Sequence, residues 1–86
     1  LLAFMYRQIR YPRFARENGI EGKVHLRFVV TEGGAIEEVE ILRSPNPLFS
    51  EECLRLIEQL PPWLPAYRRG QAIRSQHTMS IDFKLG

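Results

Sequence analysis

Between Gly22 and Ser44 the chain writes a β-hairpin, and every other segment has to accommodate it. Val24, Leu26, Phe28 and Val30 alternate with Lys23, His25 and Arg27, so one face of a strand is apolar and the other is wet. Glu32-Gly33-Gly34 makes the turn, with Gly33-Gly34 supplying the positive-φ positions of a tight connection. The return segment breaks parity: Ile36 is apolar, but Val39 and Ile41 follow one residue out of phase. A regular strand cannot turn all of them to one face, so the pattern predicts a β-bulge near Glu37-Glu38. A one-faced antiparallel hairpin of this kind requires a helical cover.

The 86 residues suffice for one domain with a modest core. With 44% apolar and 26% charged residues the composition is that of a globular domain rather than a disordered chain. The net charge of +2 singles out no polyanionic partner. The apolar start, Leu1 to Tyr6, is far short of the roughly 20 residues of a membrane span. Because the first residue is Leu, the expectation is a piece of a longer chain. Cys53 is the single cysteine, which leaves no intrachain disulfide and no thiolate metal cage.

Leu1, Leu2, Met5, Tyr6 and Ile9 have helical spacing and predict a short amphipathic helix. Arg7, Arg10, Arg13 and Arg16 recur every third residue, but Pro12 interrupts them, which favours a solvated surface over a basic stripe. Tyr11 to Gly19 reads as a compact helix: Pro12 in the first position, Phe14 and Ala15 inward, Asn18-Gly19 as a left-handed stop. Ser44-Pro45-Asn46-Pro47 reads as a turn, with Ser50 capping the main helix and Phe49 stapling onto Leu54. Cys53, Leu56, Ile57 and Leu60 form its buried stripe, and Pro61-Pro62 ends it.

Trp63 to Gly70 is expected to be an irregular loop with Trp63 over the core edge. From Ala72 to Leu85 the chain alternates again: Ile73, Met79, Ile81, Phe83 and Leu85 share one parity, with Ser75 and His77 as polar members. This third strand is expected to be longer than either hairpin strand and to overhang. A right-handed crossover through the helix places it beside the first strand. The fold class is therefore α+β: a two-layer sandwich, a three-stranded sheet in the order two-one-three, helices on one face.

Catalytic chemistry finds little footing. Cys53 lies on the buried helical stripe and His25 on the polar sheet face, so no nucleophile and base converge. The histidines and scattered Glu residues lack metal-ligand spacing, and no cofactor is implied. Glu37, Glu38 and Glu40 fit a solvated sheet face better than an acid–base pair. Nucleic-acid binding would want outward aromatics, and the outward parity carries His25, Arg27, Thr78, Ser80 and Asp82 instead. What remains is the edge of the third strand, which carries Arg74, Asp82 and Lys84 but no proline. Either those charges protect it, or it is kept open for an extended peptide to add as a further strand.

Tyr11-Pro12 with Ala15, Gly19-Ile20-x-Gly22-Lys23-Val24, Phe28-x-Val30, Gly34-x-Ile36 and Val39-x-Ile41-x-Arg43 follow one another in a recognisable order. Phe49-Ser50-x-Glu52, Pro61-x-Trp63-x-Pro65, Gly70, Ile73 and Ile81-x-Phe83-x-Leu85 continue it. Together they resemble the C-terminal domain of TonB-type energy transducers, in the variant abundant in Bacteroidetes-type bacteria, over nearly the whole chain. Departures include Ser50 for an Asp cap, Cys53 for Ala, and Ser80 for a common Pro. The resemblance implies a non-enzymatic periplasmic domain, tied to the inner membrane by an N-terminal helix and spacer. It implies capture of the N-terminal box peptide of an outer-membrane receptor, and force from an inner-membrane proton-driven motor. Thr78, Met79, Ser80, Ile81, Asp82, Phe83 and Lys84 are the partner-binding residues so implied, with Gln8 falling where the family also touches the peptide. A homodimer through the exposed edge is a further expectation. The alternative use is a TonB-like module of a membrane sensor or peptidase, binding a partner without transmitting force.

Overall fold

The computed structural model describes residues 2–86. The elements are α1 (Leu2–Gln8), α2 (Arg13–Glu17), β1 (Gly22–Val30), β2 (Ile36–Arg43), α3 (Pro47–Glu58), β3 (Ala66–Arg68), β4 (Gln71–Ile73) and β5 (Ser75–Phe83). The main sheet has the order β2-β1-β5, antiparallel throughout, and β3-β4 form a separate two-stranded hairpin. The architecture is thus the expected α+β fold, with the last strand beside the first.

Val24, Leu26, Phe28 and Val30 of β1 turn to the core and meet Phe49, Cys53, Leu56 and Ile57 of α3, with Ile81 and Phe83 from β5. Burying each large side chain contributes about 1.5–3 kcal/mol before the entropy of ordering is subtracted. Aromatic rings close both ends of this layer. Phe49 stacks on Phe83 at 4.2 Å with Tyr11 edge-on to both, while Phe28 lies 5.8 Å from Trp63 at the other end.

The bulge falls where the parity break places it. Arg27 pairs with Glu40 and Val29 with Glu37, so β2 holds one residue more than β1, and Glu38 takes φ 51° to absorb it. A second irregularity, between the His25–Arg43 and Leu26–Ile41 pairs, leaves Leu42 exposed.

Several local expectations need correction. The main helix begins earlier: Asn46 is its cap, accepting from the Leu48 N–H at 2.9 Å, and Pro47 occupies the first turn. An Asn-Pro pair satisfies both needs of a helix start, a side-chain acceptor and a fixed φ, before Ser50 is reached. Phe49 is consequently inside the helix and fully buried rather than stapled to Leu54, which is exposed. Phe14 is 60% exposed, because five-residue α2 presents only Ala15 to the core. Leu1, expected on the apolar face of α1, lies outside the described residues, as does the side chain of Leu2. Met5 is buried as expected, whereas Tyr6 is 41% exposed.

The stretch after α3 is also more regular than its prolines suggest. Tyr67 pairs with Ala72 and Arg68 with Gln71 around Arg69-Gly70, both at positive φ, a two-residue hairpin turn. Alternation from Ala72 onward therefore belongs to two strands separated at Arg74. β5 is as long as β1, nine residues, and pairs along its whole length, so it does not overhang. Ser75 and His77 are polar on the core parity because this end is covered by Trp63 rather than by α3. His77 stacks on Phe28 and Trp63 at 5.7 and 5.8 Å. The Trp63 loop is itself pinned to the hairpin turn, its N–H donating to the Gly34 carbonyl at 2.8 Å. Gly34, at φ 84°, has no room for a side chain: a Cβ there would sit 2.1 Å from the Trp63 carbonyl oxygen.

Candidate functional site: the free edge of β5

β1 is the central strand, so the sheet has two edges, β2 and β5. They are not equivalent. β2 is broken by two register shifts and lined by Glu37, Glu38 and Glu40, both of which discourage an added strand. β5 pairs with β1 without interruption from Gly22–Phe83 to Val30–Ser75. Among the described residues no strand occupies its other side.

The direction of the β5 main-chain groups follows from one hydrogen bond. The Asp82 N–H donates to the Tyr6 hydroxyl of α1 at 2.9 Å, so it points away from β1. In an antiparallel ladder the N–H and C=O of one residue point the same way and alternate along the strand. Gln76, Thr78 and Ser80 therefore share the outward direction of Asp82, while His77, Met79 and Ile81 bond to β1.

Side chains divide by the same parity. Thr78 and Ser80 lie exposed on the outer sheet face, and Asp82 is half-buried there. The Ser80 hydroxyl is 2.7 Å from Nδ1 of His25 on β1. Ile81 and Phe83 are buried against the core and present no side chain to a partner, and Met79 is half-buried on the same face. Lys84 lies past the end of β5, exposed. Gln8 is on the last turn of α1, away from the strand in sequence but on the helix that contacts its edge. Tyr6, which makes that contact, shares the apolar spacing of α1, and nothing in the local sequence marks it as an edge residue.

α1 is held to α3 by a charged cluster. Glu52 pairs with Arg55 at 2.7 Å and accepts the Arg10 N–H, while Arg55 reaches the Gln8 carbonyl at 3.5 Å. Burial pushes the Glu52 carboxyl upward, but these hydrogen bonds and the arginine charges outweigh it and hold it below its ordinary value. On the outer face Arg74 bonds to Glu37 and Glu38, and Arg27 to Glu40, a salt-bridged surface. Burial, with the nearby Glu52 charge, pushes the Cys53 thiol up to about 12, which makes it inert packing. Among the described residues no group of His, Cys, Asp or Glu is arranged to hold a metal ion.

Residues 7–85 match the family described as the Gram-negative bacterial TonB protein C-terminal. The TonB protein of Pseudomonas aeruginosa is 32% identical over 78 residues, 87% of this chain but 22% of that protein. The chain thus corresponds to about a fifth of that relative's length. The solution structure of the Pseudomonas aeruginosa TonB C-terminal domain superposes with a TM-score of 0.71 at 31% identity, covering 90% of this chain and 78% of that one. A Helicobacter pylori TonB C-terminal domain gives 0.78 at 20% identity, covering 98% and 76%, and at that identity testifies to the fold alone.

Proposed function

Because the chain belongs to the TonB C-terminal domain family, we propose that it is a periplasmic peptide-capture domain that works by strand addition to β5. The observation that carries this reading is the asymmetry of the two sheet edges: β2 is bulged and acidic, whereas β5 is regular and, among the described residues, has no strand on its outer side. An extended peptide laid along Thr78 to Lys84 would bond to the outward groups of Thr78, Ser80 and Asp82. Its natural form is the N-terminal box peptide of an outer-membrane receptor. Affinity comes from the main chain, and discrimination from the side chains beside it. The captured receptor would then be pulled by an inner-membrane proton-driven motor acting through a membrane-anchored N-terminal part. A sheet edge suits that task, since hydrogen bonds distributed along a strand share a load.

The test separates main chain from side chain. Thr78→Pro removes one outward N–H without touching the ladder to β1. It should weaken a synthetic box peptide at least about tenfold by calorimetry while the unfolding temperature stays near wild type. Thr78→Ala, which keeps the N–H, should bind as wild type does. Equal affinity for all three proteins would refute strand addition. The same outward groups can pair with a second copy, so dimerisation and peptide capture would compete for one edge.

A further inference from the structure

One outward donor of the β5 edge, the Asp82 N–H, is already engaged by the Tyr6 hydroxyl. We propose that Tyr6 is a removable plug on the β5 edge, its phenolic oxygen standing where a partner strand's carbonyl oxygen bonds to the Asp82 amide. This inference rests on strand addition to β5 and says how that edge is guarded and entered.

The geometry divides the edge. At Asp82 the outward N–H is satisfied at 2.9 Å by the Tyr6 hydroxyl. At Thr78 and Ser80 the outward main-chain groups meet no protein donor or acceptor among the described residues. An incoming strand thus finds its first contacts at Thr78 and Ser80, and completes its ladder by exchanging a peptide carbonyl for the phenol at Asp82. The exchange does not require α1 to leave. Met5, the adjacent residue, is 1% exposed and anchors the helix in the core, and Arg55 and Glu52 hold its C-terminal end through Gln8 and Arg10. Tyr6 itself is 41% exposed, so its ring has solvent to swing into about two side-chain torsions. A hydroxyl is a fitting guard: it satisfies the amide in the free domain, blunts the edge against indiscriminate pairing, and yields to a partner that brings an equivalent acceptor.

Tyr6→Phe keeps the ring and removes the oxygen. Two measurements read it: hydrogen exchange of the Asp82 amide in the free domain, and calorimetry with a synthetic box peptide of an outer-membrane receptor. The plug predicts faster Asp82 exchange in Tyr6→Phe and peptide binding about two- to tenfold tighter, the range of one net hydrogen bond. Unchanged Asp82 exchange, or a peptide affinity that stays equal or falls, overturns it. The two failures are distinguishable. If neither protein takes the peptide, strand addition falls and the plug with it, whereas binding by the wild type with unchanged Asp82 exchange or no gain in Tyr6→Phe overturns the plug alone.

Discussion

Glu52 shows how one side chain ties local chemistry to the site. Its carboxylate has a side chain 10% exposed, joins α3 to the α1–α2 connection, and is held below the ordinary value of 4.5 despite its burial. A carboxyl whose folded value is depressed contributes stability above its unfolded value and loses that contribution as pH falls through the folded one. Glu52→Gln should therefore cost about 1 kcal/mol near neutrality, and the gap to wild type should close on acidification below 4.5. Urea unfolding at a series of pH values measures it; a gap independent of pH would show that the charge is not what matters. Glu52 and Arg55 fall between the buried positions Cys53, Leu56 and Ile57, where helical spacing alone predicts a solvated face. That is correct for isolated α3 and incomplete for the protein, because α1 covers part of that face.

At the scale of elements, starts and stops decide more than periodicity. α3 begins at Asn46-Pro47, and its cap bond from the Leu48 N–H leaves Phe49 in the first helical turn, stacked on Phe83. Asn46→Ala should lower stability by about 1 kcal/mol, and Asn46→Asp or Asn46→Ser should restore most of it, as thermal unfolding would register. Equal stability of all these variants would mean that Pro47 alone fixes the helix start. The same scale explains the two strand edges. One residue too many opposite Phe28, between the Arg27–Glu40 and Val29–Glu37 pairs, puts Glu38 in a left-handed conformation and breaks the regularity of β2. β5, in perfect register with β1, stays regular.

For the whole molecule, the consequence is that among the described residues β5 is the regular border of the main sheet on an elongated body, 49 Å by 22 Å by 18 Å. On the proposed reading, a partner strand and a second copy would compete for the same Thr78, Ser80 and Asp82 groups. Sedimentation at rising concentration should show association that a saturating box peptide suppresses. Dimers that persist with peptide bound would place self-association on another surface, such as the exposed Leu64 and Tyr67 beside the β3–β4 hairpin.

Alternation and turn residues by themselves determined the hairpin, its bulge, the buried stripe of α3 and the order of the sheet, because each depends on contacts close along the chain or on the handedness of a crossover. Phe14, Leu54 and the start of α3 depart from what spacing predicts because two local solutions compete there and packing selects between them. The guard on the edge belongs wholly to tertiary structure. Tyr6 and Asp82 are separated by nearly the whole chain, and no local pattern reports that a phenol from the first helix comes to rest on an amide of the last strand. Side-chain periodicity is written in the sequence, but the direction of a main-chain N–H, and what meets it, exists only once the strands have paired.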